Sequence, residues 1–258
     1  MPDLFLELLD DGNEGITPPP LTELEALDLL VESEITASKL IPWGSNYSFA
    51  VALEAHGGRE RLAIYKPRAG ESPLYDFPDG TLFLREVASY HLSKLLGWNI
   101  VPPTVVRDGP HGIGSVQLYV EPMPESETWD PRRFWGDCTI EIERLVLFDH
   151  IANNADRKLA HCLRDVQGKV WGIDHGLTFN EVPKLRTALW QFVGADIAPV
   201  LRVDLAGLKR REAEVRKTME PYLLRGEITA LMRRVERFLE IGRYPELNPR
   251  RNIPYGWW

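Results

Sequence analysis

The segment NNADRKLAHCLRDVQGKVWGIDHG, residues 153–176, decides the fold of this 258-residue chain. Asp156 follows a predicted helix, whereas Asp174 follows the apolar strand Trp171–Ile173 and begins a glycine-containing turn. A short predicted hairpin with its turn at Gln167-Gly168 separates them, so both carboxylates can project toward one point. One carboxylate can then accept a proton from a hydroxyl group while the other holds a divalent metal against phosphates.

Two residues of the first half complete this pattern. Alone, Asp156 and Asp174 have ordinary explanations, because Asn and Asp are common at helix ends and Asp-X-Gly is common in turns. Lys66, however, closes a predicted strand, and Glu86 lies on the predicted helix that follows. In phosphoryl transfer such a lysine holds phosphate oxygens and the glutamate holds the lysine. In this order the four residues predict an ATP site.

The hydrophobic pattern predicts an α+β protein with two lobes, an N-lobe built from an antiparallel sheet and one helix, and a mainly helical C-lobe. We expect an N-terminal arm at residues 1–20, the N-lobe at 21–121 and the C-lobe at 122–258. The predicted elements are a helix at Glu23–Leu30, strands at Ile35–Leu40, Ser48–Glu54 and Arg61–Lys66, a helix at Leu82–Leu96, strands at Val101–Arg107 and Ser115–Val120, and helices at Thr139–Asn153, within 187–203, at 205–219 and at 226–241.

Composition argues against several classes of function. The net charge of −8 disfavours a general nucleic-acid binder, which needs a basic surface. The two cysteines lack CxxC spacing, so we expect reduced thiols rather than a structural zinc site. No stretch reaches the roughly 18 apolar residues of a membrane span, and Met1–Asp10 does not resemble a signal peptide. We therefore expect a cytoplasmic protein without integral membrane association.

Six segments carry a family resemblance. They are Gly44-Ser45-Asn46, Ile64–Pro67, Arg85–Ala88, Gly114–Glu121, Asn154–Arg157 and Ile173–Leu177. In these segments the chain resembles the phosphatidylinositol 3-/4-kinase-like branch of the protein kinase superfamily, and within it an uncharacterised bacterial group. The resemblance extends over about residues 35–240 and implies a protein-kinase-like fold. The last two motifs are specific together, whereas the first is weak.

The resemblance implies a kinase, a phosphotransferase that uses ATP and Mg²⁺ or Mn²⁺ on an unknown acceptor: a protein, a small molecule or an inositol lipid. It implies that Asp156 is the catalytic base and that Lys66 and Glu86 position the phosphates. The further implied contacts are phosphate binding by Gly44, Ser45 and Asn46, adenine binding near Gln117, Tyr119, Val120 and Glu121, and metal binding by Asp174 and His161.

Two departures from the family pattern leave alternatives open. These kinases usually place a metal-binding Asn five residues beyond the catalytic Asp, where this chain has His161. Neutral imidazole binds Mn²⁺ or Zn²⁺ whereas Mg²⁺ prefers oxygen, and a buried, hydrogen-bonded His161 is the equal alternative. The phosphate loop has a single glycine, Gly44, which restricts backbone approach. The alternatives are a non-catalytic nucleotide-binding pseudokinase and a transferase of AMP, the latter disfavoured because Lys66 and Glu86 fit the usual ATP orientation.

Two basic stretches can be explained by structure as well as by function. The loop Pro183–Arg186 follows the predicted metal turn, where it either contacts substrate or is only structural. The basic run 209–217 contains interspersed glutamates and is predicted to be a solvated helix face, with a patch for an anionic substrate as the less favoured alternative.

Overall fold

The computed structural model describes residues 21–55, 59–124 and 135–255. The predicted arm at 1–20 and the predicted turn at 56–58 lie outside these residues. The described residues divide into two units. One unit contains the residues before Ala88 together with Pro102–Tyr119, and the other contains Ala88–Val101 and the residues from Val120 onward.

The first unit is a helix packed on an antiparallel sheet. Helix α1 (Glu23–Glu32) begins at Thr22, whose side chain accepts from the backbone of Glu25 while the Glu25 carboxylate accepts from the backbone of Thr22. Such a reciprocal cap fixes the start of a helix. The strands of the described sheet are β1 (Ile35–Leu40), β2 (Phe49–Ala55), β3 (Arg59–Pro67), β4 (Thr104–Gly109) and β5 (Gly112–Leu118), in the order β1-β2-β3-β5-β4.

The alternation of side chains along β3 decides where Lys66 lies. Ala63 and Tyr65 are fully buried in a core that also contains Leu30 of α1. Successive side chains of a strand point to opposite faces of the sheet, so Lys66 lies on the face opposite to Tyr65. Helix α2 (Leu82–Leu95) follows, with residues 82–87 in the first unit and 88–95 in the second.

The second unit is mainly helical. Helix α3 (Ile140–Ala152) is buried on nearly all sides, from Ile142 to Ala152, as expected of a helix at the centre of a core. It is followed by the hairpin of β6 (Cys162–Arg164) and β7 (Val170–Gly172), and then by helices α4 (Pro199–Arg210), α5 (Glu212–Met219) and α6 (Arg225–Ile241). The mixed α+β class is therefore confirmed.

The predicted helix boundaries between residues 187 and 219 are wrong. Residues 187–198 contain no helix. Helix α4 begins at Pro199, and proline is favoured at the first position of a helix. The backbone N–H of Ala198 donates to the buried carboxylate of Glu143 at 2.9 Å, a partner 55 positions away. The helical period of the sequence cannot reveal such a distant partner, whereas it predicted the other helices to within a few residues.

The remaining structural expectations concern cysteines, membranes and the basic run. Cys138 and Cys162 are both free thiols. In the described part of the chain no helix has the length and apolar character that crossing a bilayer requires. The basic run forms ion pairs along its helices, with Glu212 accepting from Lys209 at 2.9 Å and from Arg216 at 2.6 Å.

Candidate functional site

The first unit joins Lys66 and Glu86. The Lys66 ammonium lies 2.5 Å from the Glu86 carboxylate, and their side chains are 24% and 3% exposed. Lys66 lies near the end of β3 and Glu86 lies on the second turn of α2. An ammonium held in this way at a strand end is a fixed point charge suited to phosphate oxygens.

The predicted phosphate loop is tied to the residues after β3. The hydroxyl of Ser72 donates to the Ser45 carbonyl at 2.7 Å, and its backbone N–H donates to the Asn46 side-chain oxygen at 2.8 Å. Gly44 has a φ of +114°, in a region that side-chain-bearing residues rarely adopt. The single glycine of the loop is therefore placed where the backbone needs one.

The predicted adenine-binding segment follows β5. The Gln117 side chain is buried and its amide donates to Thr104 at 2.8 Å, so this side chain is engaged within the sheet. The Tyr119 N–H donates to the carbonyl of Leu62 at 3.0 Å. Val120 is half-buried and Glu121 is exposed. Adenine contacts here stay a prediction.

The second unit brings Asp156, His161 and Asp174 together. His161 Nε2 lies 3.2 Å from Asp174 Oδ2, and His161 Nδ1 lies 3.0 Å from the backbone carbonyl oxygen of Asp156. The Asp174 side chain is 47% exposed, whereas that of His161 is 14% exposed. Asp174 has a φ of +58°, a conformation that is uncommon outside glycine and that clusters at functional sites.

The hydrogen bonds of His161 define its chemistry. A carbonyl oxygen can only accept, so Nδ1 is protonated and donates a hydrogen bond to the backbone carbonyl of Asp156. Burial lowers the pKa of His161, although the Asp174 carboxylate opposes that shift. Nε2 lies beside the Asp174 carboxylate at 3.2 Å, so that this nitrogen and this oxygen are placed together as possible ligands of a cation. Metal-binding histidines are commonly fixed by such a second hydrogen bond.

A divalent metal fits this pair only with help from other ligands. Over residues 21–55, 59–124 and 135–255, no group of three or more His, Cys, Asp or Glu side chains is arranged to hold a metal ion. Mg²⁺ is usually bound through one or two carboxylates together with substrate phosphates and water. Asp174 would supply one such carboxylate, whereas the His161 nitrogen would favour Mn²⁺ over Mg²⁺.

Lys158 is a residue of the site that the sequence motifs did not predict. Its ammonium lies 2.9 Å from Asp156 Oδ2, and both side chains are partly exposed. Burial raises the pKa of the Asp156 carboxyl above its ordinary value, and the hydrogen bond and charge of Lys158 oppose that rise. A carboxylate whose pKa is moved toward neutrality is a stronger base, and Lys158 limits this effect.

Arg157 fixes the relative positions of these groups. Its Nε and Nη2 donate to the two Asp149 oxygens at 2.8 and 2.9 Å. Its Nη1 donates to the backbone carbonyls of His161 and Ile173 at 2.9 and 2.8 Å. Burial alone would lower the pKa of Arg157, but the Asp149 carboxylate outweighs this and raises it. One buried cation therefore holds the residue before Asp174 and the backbone of His161.

Asp149 also orients the backbone of Asp156 through Asn154. The Asn154 amide donates to Asp149 Oδ1 at 2.9 Å, and its side-chain oxygen accepts the backbone N–H of Asp156 at 3.0 Å. A sequence signal for this role exists. Asp149 is a carboxylate within the apolar run Leu145–Ile151, and a buried charge requires a partner. The partner itself, Arg157, could not be identified from the sequence.

Comparison with known proteins places the chain in a family. No protein-family model matches it. Protein Rv2133c of Mycobacterium tuberculosis is 36% identical to the chain over 260 residues, an alignment that covers 88% of this chain and 93% of that protein. The chain therefore belongs to the same family as Rv2133c.

The solved structure of hydra Fam20 with sugar resembles the fold. It aligns with a TM-score of 0.57 and 13% sequence identity, covering 93% of this chain and 94% of the hydra chain. At this identity the similarity shows the fold alone, and the predicted protein-kinase-like fold is confirmed. The Helicobacter pylori proinflammatory kinase CtkA aligns with a TM-score of 0.49 and 12% identity over 83% of this chain and 94% of its own, which is too low to add to the argument.

Proposed function

We propose that this member of the Rv2133c family is an ATP-dependent phosphotransferase that uses Mg²⁺ or Mn²⁺ and acts on a hydroxyl acceptor. The observation that carries the proposal is the group of Asp156, His161 and Asp174 held on the buried Arg157. Asp174 is 47% exposed and lies 3.2 Å from His161, and burial raises the pKa of Asp156; carboxylates perturbed in this way cluster at functional sites. The confirmed kinase-like fold and the Lys66–Glu86 pair support the same chemistry.

In this proposal each residue has a defined task. Lys66, oriented by Glu86, holds phosphate oxygens of ATP. Asp174 and His161 would hold the divalent ion, which when bound would supply neutralisation of the phosphate charge. Asp156 accepts the proton of the acceptor hydroxyl while the hydroxyl oxygen attacks the terminal phosphorus of ATP. The bond between that phosphorus and the bridging oxygen breaks, and ADP leaves. Lys158 has to release Asp156 Oδ2 before that oxygen can accept the proton, because the two groups form an ion pair at 2.9 Å.

The finer family assignment belongs to the proposal too. The motifs at Asn154–Arg157 and Ile173–Leu177 support the phosphatidylinositol 3-/4-kinase-like branch. Fold similarity does not identify a substrate, so the acceptor is proposed as a protein, small molecule or inositol lipid without a choice among them.

The test compares ATP consumption by the wild type with that of Asp156→Ala and Asp174→Ala, in Mg²⁺ and in Mn²⁺. We expect metal-dependent consumption that both variants lose. Equal turnover by wild type and Asp174→Ala would refute the proposal. Mass spectrometry of modified protein then distinguishes phosphate, which adds about 80 Da, from adenylate, which adds about 329 Da.

A pseudokinase is the second candidate, and the Lys158–Asp156 ion pair favours it because the proposed base is already engaged. A pseudokinase predicts that ATP raises the melting temperature by mass action without any turnover. Detection of autophosphorylation contradicts it.

A further inference from the structure

The segment 185–188 runs alongside the loop that carries Asp156. The N–H of Arg186 donates to the carbonyl of Asn154 at 2.9 Å, and the N–H of Arg157 donates to the carbonyl of Arg186 at 3.0 Å. The N–H of Ala188 then donates to the carbonyl of Arg157 at 2.9 Å. These bonds pair the two backbones in parallel on either side of Asp156. The loop that follows the metal turn is thus a direct neighbour of the proposed base.

The opposite edge of this segment is held by residues 248–255, which we call the bracing segment. The N–H of Thr187 donates to the carbonyl of Asn252 at 2.9 Å. The side-chain amide of Asn252 donates to the carbonyl of Leu185 at 2.6 Å. The Arg186 guanidinium also lies 5.2 Å from the centre of the Tyr255 ring. Segment 185–188 therefore lies between the Asp156 loop and the bracing segment.

Asn252 is itself fixed by a turn. Its side-chain oxygen accepts from the N–H of Asn248 at 2.8 Å, and its own N–H donates to the carbonyl of Asn248 at 2.8 Å. The amide group thus accepts on one side and donates to Leu185 on the other. A carboxylate in its place retains the acceptor and loses the donor, leaving the Leu185 carbonyl opposite a negative oxygen.

We infer that Asn252 is a positioning residue for the acceptor side of the proposed site. Through Leu185 and Thr187 it fixes segment 185–188, and through that segment the backbone on both sides of Asp156. The inference rests on the proposed phosphotransferase function. It assigns a role to a residue more than 60 positions beyond the motifs that predicted the site.

The experiment compares Asn252→Asp with the matched control Asn248→Asp. Asn248 lies in the same exposed turn, and its side-chain oxygen accepts from the backbone of Arg250 at 2.8 Å, a bond that a carboxylate keeps. Both variants gain the same charge, so only the donor to Leu185 distinguishes them. The readouts are amide hydrogen exchange, ATP consumption with Mg²⁺ or Mn²⁺, and the ATP-induced rise in melting temperature.

We expect amide exchange in segment 185–188 to become at least about tenfold faster in Asn252→Asp and to stay unchanged in Asn248→Asp. The kcat for ATP consumption falls at least about tenfold in Asn252→Asp, while the KM for ATP changes by less than about twofold. A residue of purely structural importance would lower the melting temperature without this split between kcat and KM. If Asn252→Asp does not fold, Asn252→Ala against Asn248→Ala provides the same comparison without added charge.

Unchanged amide exchange in segment 185–188 of Asn252→Asp overturns the inference, because Asn252 then does not hold this segment. Faster exchange with an unchanged kcat overturns it as well, since the segment then has no influence on catalysis. Absence of turnover in the wild type refutes the proposed function instead, and the exchange rates then decide the bracing role by themselves.

Discussion

The substitution Asp149→Asn tests whether the buried Arg157 organises the site. It keeps the size of the side chain and removes the charge that Arg157 contacts through two nitrogens. The Arg157 and Asp149 side chains are 0% and 1% exposed, so solvent cannot replace the lost charge. The variant therefore leaves a buried cation without its counterion.

The size of the effect follows from burial. Removing one partner of a buried ion pair costs about 3–5 kcal/mol, because the remaining charge stays desolvated. In a protein of this size about 1 kcal/mol shifts the melting temperature by about 2–4 °C. We expect a fall of about 6–20 °C, with the lower end if the Asn amide rotates to accept from Arg157.

Differential scanning calorimetry measures this shift, and Asp196→Asn is the control. The Asp196 side chain is 90% exposed and lies 3.9 Å from Arg243, so the same chemical change occurs at a solvated pair. Solvated pairs contribute little, and we expect a shift below about 2 °C. Equal shifts in the two variants would refute the reasoning that burial of Arg157 makes Asp149 indispensable.

Three further predictions follow from the same structure. Burial lowers the pKa of His150 to about 3, from an ordinary 6.5, so the unfolded chain binds a proton that the folded chain excludes. The free energy of unfolding should therefore fall by about 1.4 kcal/mol per pH unit from pH 6.5 toward pH 3. Denaturation of His150→Leu should lack this pH-dependent loss, and identical plots of unfolding free energy against pH for the two proteins would contradict the prediction. Lys66→Met should lower ATP consumption about 100-fold and also lower the melting temperature. The double variant Lys66→Met, Glu86→Gln should regain stability, since the second change removes the buried negative charge, but it should not regain turnover. Replacement of imidazole by an amide oxygen in His161→Asn should make ATP-induced stabilisation larger with Mg²⁺ and smaller with Mn²⁺; no change with either ion argues against His161 as a ligand.

The sequence by itself determined the elements and the order of the site motifs. Alternation and helical period are local properties, and they predicted the five sheet strands, α1, α2, α3 and the β6–β7 hairpin to within a few residues. The Thr22 cap is also local. The pairing of Lys66 with Glu86 was predictable because strand and helix are adjacent in the chain. The chemical roles of these residues stay predictions.

The tertiary structure alone decided which buried charges and amides meet. Asp149 and Arg157 are eight positions apart and on different elements, and Asn252 meets Leu185 across 67 positions. A buried polar group must find a partner, but many partners satisfy that requirement, and no local pattern selects one. The backbone N–H of Ala198, just before α4, likewise meets Glu143 across 55 positions. Only the closed fold fixes such partners, because their free energy arises when distant segments exclude water from one another.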